Sequence, residues 1–359
     1  MRILMNFYES TNTEEKIMAY NVDGYMEFLY AKNKSEFDIG EIGGREDFEK
    51  FSQDMGKAYI SCLGEMPKRC PLDAQILSET VCDGYKRQKI EYMVDSGFKA
   101  PAYILVPDKA DKFCPAVIAL AGHGYGAADI VGLTEKGEEK PEGKDPGYQK
   151  NFAVELAKKG FVVAAPELFG FGELMLAPHA GQPAEGSSCH MLSTQLFMYG
   201  KTMAGIRVWQ AQRMFEYLAA RKETDPDRIG SMGISGGGLV SSFFAAYNKE
   251  VKACVVSGYF CTFKDSIMSI HHCIDNFIPG LLKYGEMAEL FALIAPRPLL
   301  LEAGTADSIF PIDAVKRSYA RLGTLYSRLG AKDCIDIDIF EGDHQISGAK
   351  AYDFLAERL

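Results

Sequence analysis

From about residue 88 to the C-terminus, short apolar and β-branched runs alternate with longer stretches of helical period. The runs are Lys89–Val94, Ala102–Val106, Ala116–Ala121, Val162–Ala165, Ile229–Met232, Ala253–Ser257, Leu299–Ala303 and Ile335–Phe340. Strands spaced by helices predict an α/β fold, with a mostly parallel sheet of eight strands covered on both faces. The first two runs are separated only by Asp95-Ser96-Gly97 and predict an antiparallel hairpin. One long helix is expected from roughly Leu196 to Ala220. Its residues Ala204, Val208, Ala211, Phe215 and Leu218 step by four and three, giving one apolar face for burial against the sheet.

Three stretches depart from this rhythm. Residues 1–87 predict a helical extension packed on a catalytic domain of residues 88–359, or contributing to a homo-oligomer contact. Within it Met18–Leu29 and Arg45–Leu63 have amphipathic helical patterns, with Gly40, Gly43 and Gly44 marking a break between them. Residues 127–150 are rich in Gly, Glu and Lys, and residues 170–195 carry Gly, Pro, Ser and two histidines. Both follow the C-terminal ends of expected strands, where ligand sites of open α/β sheets gather, so both are expected to form walls or lids.

Composition narrows the class further. A chain of 359 residues with a net charge of −10 has no basic cluster to meet a nucleic-acid backbone. No run of about 18 apolar residues could span a bilayer, and the N-terminus lacks the apolar core of a signal peptide. The nine cysteines lack C-x-x-C spacing and read as reduced thiols. A cytoplasmic protein with a small-molecule substrate is the expectation.

The chemistry centres on Gly233-Ile234-Ser235-Gly236-Gly237, a G-x-S-x-G stretch. In such an elbow a strand stops and a helix starts at once, with the serine held in a strained conformation at the apex. The residues two before and two after it crowd each other, and glycine there relieves the crowding. A serine hydroxyl needs a base, an acid to orient that base, and oxyanion donors. His344, in Glu341-Gly342-Asp343-His344 after the last strand, is the leading base among six histidines. Asp307, in Thr305-Ala306-Asp307 after the run Leu299–Ala303, is the preferred acid; Glu302 and Asp343 are its rivals. The backbone N–H groups of Gly236 and of Tyr125, in Gly122-His123-Gly124-Tyr125-Gly126, are the expected oxyanion donors. His123 is then a structural residue rather than a second base.

Two other patterns carry less weight. Residues 122–127 match G-x-G-x-x-A, yet the acidic residue a dinucleotide fold needs about 20 residues on would fall in the charged insertion. His271, His272 and Cys273, with Cys189 and His190, contain no pair at ligand spacing, so a structural role is preferred to metal binding.

Together, Gly122-His123-Gly124-Tyr125-Gly126, Asp227-Arg228-Ile229-Gly230, the serine elbow, Ala295-Pro296-Arg297-Pro298 and Gly342-Asp343-His344 resemble the α/β-hydrolase superfamily over residues 88–359. The resemblance is nearest to its branch of acetyl xylan esterases and dienelactone hydrolase-like proteins. It implies a serine hydrolase of carboxylic esters with a small acyl group such as acetyl, working without a cofactor. The order Ser235, Asp307, His344 agrees with that superfamily. Two departures stand out. Leu168-Phe169-Gly170-Phe171-Gly172-Glu173 replaces the Arg-Gly-Gln-Gly turn of acetyl xylan esterases, and Ser235 stands where dienelactone hydrolases use cysteine. A prolyl-oligopeptidase-like peptidase, a thioesterase or acyltransferase, and a non-catalytic binding protein share the fold and are the alternatives.

Overall fold

The computed structural model describes residues 21–110, 113–141, 143–179 and 187–359. The strands are β1 (Gln75–Cys82), β2 (Tyr85–Asp95), β3 (Phe98–Pro107), β4 (Cys114–Leu120), β5 (Val162–Pro166), β6 (Thr224–Ile234), β7 (Cys254–Ser257), β8 (Leu299–Gly304) and β9 (Ile335–Phe340). They form one nine-stranded sheet in the order β1-β2-β3-β5-β4-β6-β7-β8-β9. Pairings from β1 to β5 through β2 and β3 are antiparallel, and every pairing from β5 to β9 is parallel. Strands β5, β7 and β8 are buried along their whole length, as strands covered on both faces must be.

The helices are α1 (Val22–Lys32), α2 (Arg45–Leu63), α3 (Ala127–Ile130), α4 (Phe152–Lys158), α5 (Cys189–Met198), α6 (Met203–Ala219), α7 (Gly236–Tyr247), α8 (Met287–Ala292), α9 (Ile312–Arg328) and α10 (Ala351–Arg358). They cover both faces of the sheet around two buried clusters, one on each side.

Three expectations need correction. The sheet has nine strands rather than eight, because β1 lies in the stretch expected to be helical. Most of β1 is exposed, so it carries no buried alternation to betray it. A two-residue Asp83-Gly84 turn with Gly84 at φ +83° folds it back on β2. The boundary expected at residue 87 consequently falls inside β2. Finally, the single long helix is two, α5 and α6. Gly200 breaks it at φ +66°, and Thr202 caps the second by accepting a 2.9 Å bond from the Gly205 N–H.

Helix α6 is buried on more sides than one apolar stripe predicts. All five stripe residues are buried, but so are Arg207, Gln210 and Arg213. Their polar ends donate to backbone carbonyls of β2 and of the segment after β5. Residues 18–20 of the expected first helix lie outside the described residues; Asn21 caps α1, which covers the rest and continues three residues further, to Lys32. Helix α2 has the expected bounds and buries Phe48, Phe51, Met55, Tyr59 and Leu63 on one face. Tyr59 Oη donates a 2.7 Å bond to the Phe243 carbonyl of α7, tying the segment to the core.

Strand β4 sits between β5 and β6. The chain therefore leaves β4 toward one side of the sheet and continues from β6 toward the other. The crevice at the C-terminal ends of β4 and β6 is the topological switch point, where open α/β sheets bind ligands. No helix among the described residues is long and apolar enough to cross a membrane.

Met55→Ala should lower unfolding stability by about 2–5 kcal/mol, as expected for a buried cavity. Met26→Ala, on the exposed side of α1, should change it by less than about 0.5 kcal/mol. Urea denaturation followed by the single tryptophan, Trp209, measures both.

Candidate active site

Ser235 occupies the one-residue junction between β6 and α7, with φ +54° and ψ −123°. A non-glycine residue there is strained, and the packing around it explains why the strain persists. A Cβ on Gly233 would overlap the Gly237 carbonyl, and one on Gly237 would overlap the Leu120 carbonyl of β4. The strand, the turn and the helix approach one another and β4 too closely for any side chain. The Ser235 N–H is held by the Ser257 carbonyl at 2.9 Å, anchoring the apex to the end of β7.

The expected base and acid meet at the same edge of the sheet. His344 Nδ1 donates to Asp307 Oδ2 at 2.7 Å, since a carboxylate can only accept. The other oxygen, Asp307 Oδ1, accepts from the N–H groups of Ile309 at 2.8 Å and Phe310 at 3.1 Å, which fixes the carboxylate. The ring lies nearly parallel to Tyr148 and Phe310, with centroids 5.9 and 5.8 Å away. It also packs against Gly258, where a Cβ would stand 2.9 Å from its Cε1. His344 Nε2 is buried and makes no hydrogen bond among the described residues, to Ser235 included. The rival carboxylates are engaged elsewhere or not at all with the ring. Glu302 accepts from the Ser257 hydroxyl at 2.5 Å and the Gly348 N–H at 2.8 Å.

The loop after β4 closes the other side. Gly122 lies against the elbow, where a Cβ would come within 3.2 Å of Ser235 Cβ. Its N–H donates to Gln149 Oε1 at 2.7 Å, and the Tyr148 hydroxyl donates to the His123 carbonyl. Insertion 127–150 thus supplies two side chains that shape this loop and the surroundings of His344. Among the described residues the N–H groups of Gly236 and Tyr125 make no hydrogen bond, and Gly236 starts α7, where the helix dipole is positive.

The sequence profile of the Abhydrolase family matches residues 12–325. The chain belongs to that family. Ser235 and Asp307 lie within the matched span, and His344 lies beyond it. A Bacillus subtilis (strain 168) protein provisionally named hydrolase YtaP is 29% identical over 285 residues, covering 77% of this chain and 89% of its own. Among solved structures, a Bacteroides fragilis protein provisionally described as an acetyl xylan esterase is similar at a TM-score of 0.75. Its identity is 17%, over 90% of this chain and 83% of that one. The glucuronoyl esterase from Solibacter usitatus aligns at a TM-score of 0.64 and 14% identity, over 88% of this chain and 94% of its own. These likenesses establish that the Abhydrolase chain shares the α/β-hydrolase fold of esterases.

In this Abhydrolase chain the described part of insertion 170–195 also reaches the site; residues 180–186 lie outside the described residues. Phe171 meets the His123 ring edge-on at 4.8 Å. His123 turns its Nδ1 side toward Gly236 and its Nε2 toward Asp275, whose Oδ2 is 3.4 Å away. The same oxygen accepts from Arg207 at 2.5 Å, and Arg207 also reaches Cys189 Sγ at 3.2 Å. Burial opposes charge on His123, but Asp275 and Cys189 outweigh it and push the imidazole up to about 9. The neighbouring Cys273 thiol, against burial and together with Arg207, lowers the Cys189 thiol. The spacing that set Cys189 and Cys273 aside as partners is irrelevant in space, for the fold brings both to His123. Sequence pattern missed Asp275 and Arg207, and the charged residue inside the apolar period of α6 was the available signal.

Glu167, at the end of β5, was also missed. It is buried and accepts from the Ala127 N–H at 3.2 Å, holding the turn that follows Tyr125. Burial, only partly offset by that N–H, raises its carboxyl to about 8 from an unfolded value near 4.5. The folded chain then keeps a proton that the unfolded chain gives up, so stability falls as pH rises through this window. Glu167→Gln should flatten the fall in melting temperature between about pH 5 and 8, measured by a calorimetric pH series.

Proposed function

We propose that this chain is a serine esterase acting on carboxylic esters with a small acyl group such as acetyl. The observation that carries the reading is the Asp307–His344 hydrogen bond at 2.7 Å, with His344 Nε2 left without a partner at the sheet edge where the Ser235 elbow ends. In the proposed mechanism Nε2 takes the Ser235 proton as Oγ attacks the ester carbonyl. Asp307 keeps the ring in the tautomer with Nδ1–H and balances the imidazolium that forms. The N–H groups of Gly236 and Tyr125 receive the developing oxyanion, in a site where fixed donors need no reorganisation. His344 then returns the proton to the leaving alkoxide. A water, deprotonated by the same nitrogen, attacks the acyl-enzyme and restores the serine hydroxyl.

The substrate class draws on the fold neighbours described as acetyl xylan and glucuronoyl esterases, which point to esters of carbohydrates. An acetylated sugar supplies the small acyl group, and the rings of Tyr148 and Phe310 beside His344 and of Phe171 beside His123 give the site aromatic surroundings.

Ser235→Ala should lower kcat/KM on p-nitrophenyl acetate by a factor of about 10⁴ or more while the circular dichroism spectrum stays native. Asp307→Asn should cost about 10⁴ in kcat through the wrong tautomer. Glu302→Gln, by contrast, should leave kcat near wild type. Turnover that survives in Ser235→Ala, or a Glu302 variant as impaired as that of Asp307, would sink the assignment. A panel of acetylated sugars, methyl glucuronate and longer-chain esters should be hydrolysed fastest at the acetyl members.

A further inference from the structure

Four potential ligand atoms converge beneath the oxyanion loop without taking part in the chemistry proposed above. They belong to His123 after β4, Cys189 at the first turn of α5, and Cys273 and Asp275 in the segment between β7 and α8. All lie within 4.8 Å of one another. Three separate parts of the chain, up to about 150 residues apart, therefore deliver donors of mixed type to one point.

From this convergence we infer a binding site for a divalent transition metal of the zinc class, held by His123 Nε2, Cys189 Sγ, Cys273 Sγ and one Asp275 oxygen. Two thiolates, one imidazole and one carboxylate make a donor set suited to tetrahedral zinc, and too rich in sulfur for magnesium or calcium. The spacing agrees. Tetrahedral bonds of about 2.0 Å to nitrogen and oxygen and about 2.3 Å to sulfur place N and O about 3.3 Å apart, and S and O about 3.5 Å apart. In the structure His123 Nε2 and Cys189 Sγ are each 3.4 Å from Asp275 Oδ2. The imidazole nitrogen is aimed into the same cluster: His123 Nε2 is buried, lies 3.4 Å from Asp275 Oδ2 and makes no hydrogen bond of normal geometry among the described residues.

Arg207 belongs to the same arrangement. Its guanidinium holds Asp275 Oδ2 at 2.5 Å and Cys189 Sγ at 3.2 Å. A carboxylate oxygen has a second lone pair for a metal, and metal-bound thiolates commonly accept such outer hydrogen bonds. Asp275 Oδ1 is held in turn by the Asn276 side chain at 2.7 Å, which orients the carboxylate. Two thiolates and a carboxylate are balanced by a divalent ion together with this one buried cation. The ion would pin the loop carrying Tyr125 to the two walls of the cleft. This inference does not depend on the esterase reading.

The test uses the full chain, reduced with a phosphine so that no Cys189–Cys273 disulfide competes. After loading and exhaustive dialysis, elemental analysis should find one zinc per chain. The cobalt(II) form should show the intense visible bands of a tetrahedral site and a near-ultraviolet thiolate-to-cobalt band. Cys273→Ser should weaken cobalt binding at least about 100-fold and diminish the thiolate band, whereas Cys334→Ser, away from the cluster, should leave both unchanged. Ser235→Ala should bind metal like the wild type, which separates failure of this site from failure of the esterase mechanism. Should Cys273→Ser not fold, the wild type suffices: zinc should slow N-ethylmaleimide labelling of Cys273, read by peptide mass mapping. No retained metal, a cobalt spectrum without a thiolate band, or labelling indifferent to zinc would each overturn the proposal.

Discussion

The close approach of β6 and α7 to each other and to β4 is the constraint on which the rest of the site depends. With Gly233 and Gly237 as the points of contact, the chain has no room to relax the Ser235 backbone from φ +54°. Such a conformation costs on the order of 1–3 kcal/mol, and burial of the surrounding elements offsets it. From Gly236 to Ala246 every residue of α7 is buried, and its central strand neighbours are buried as well. Loosening this contact would cost far more apolar burial than the strain it relieved.

Around that rigid centre, buried carboxylates are distinguished by the donors each one meets. Asp307 finds two backbone N–H groups and the His344 ring. Glu302, within β8 itself, meets Ser257 and the N–H groups of the C-terminal loop, so it fastens the segment that follows His344. Glu167 meets the turn after Tyr125, and Asp275 meets Arg207. A buried carboxylate without such donors would be costly, so each is confined to one task by its neighbours.

Much of this is legible in the sequence. The buried parallel strands announce themselves as apolar runs, and the crowding at Gly233 and Gly237 is a local steric matter written in five consecutive residues. Strand β1 escaped because an exposed edge strand has no buried face; only the Asp83-Gly84 turn marked it. The break at Gly200 and Thr202 escaped because apolar residues continue across it. Spacing in sequence does not point to Cys189, because ligand spacing applies to neighbours on one helix or turn and not to residues joined by folding.

The sequence alone determined the alternation of strands and helices, the elbow, and the order in which Ser235, Asp307 and His344 occur. Each depends on interactions among residues close in the chain, or on the rule that strand ends share an edge. Only the tertiary structure decided that Asp307 rather than Glu302 or Asp343 faces the imidazole, and that His123, Cys189, Cys273 and Asp275 share one point. Those outcomes depend on which side of the sheet each crossover takes and where its loop comes to rest. Packing across the whole molecule sets that geometry, and no local pattern encodes it.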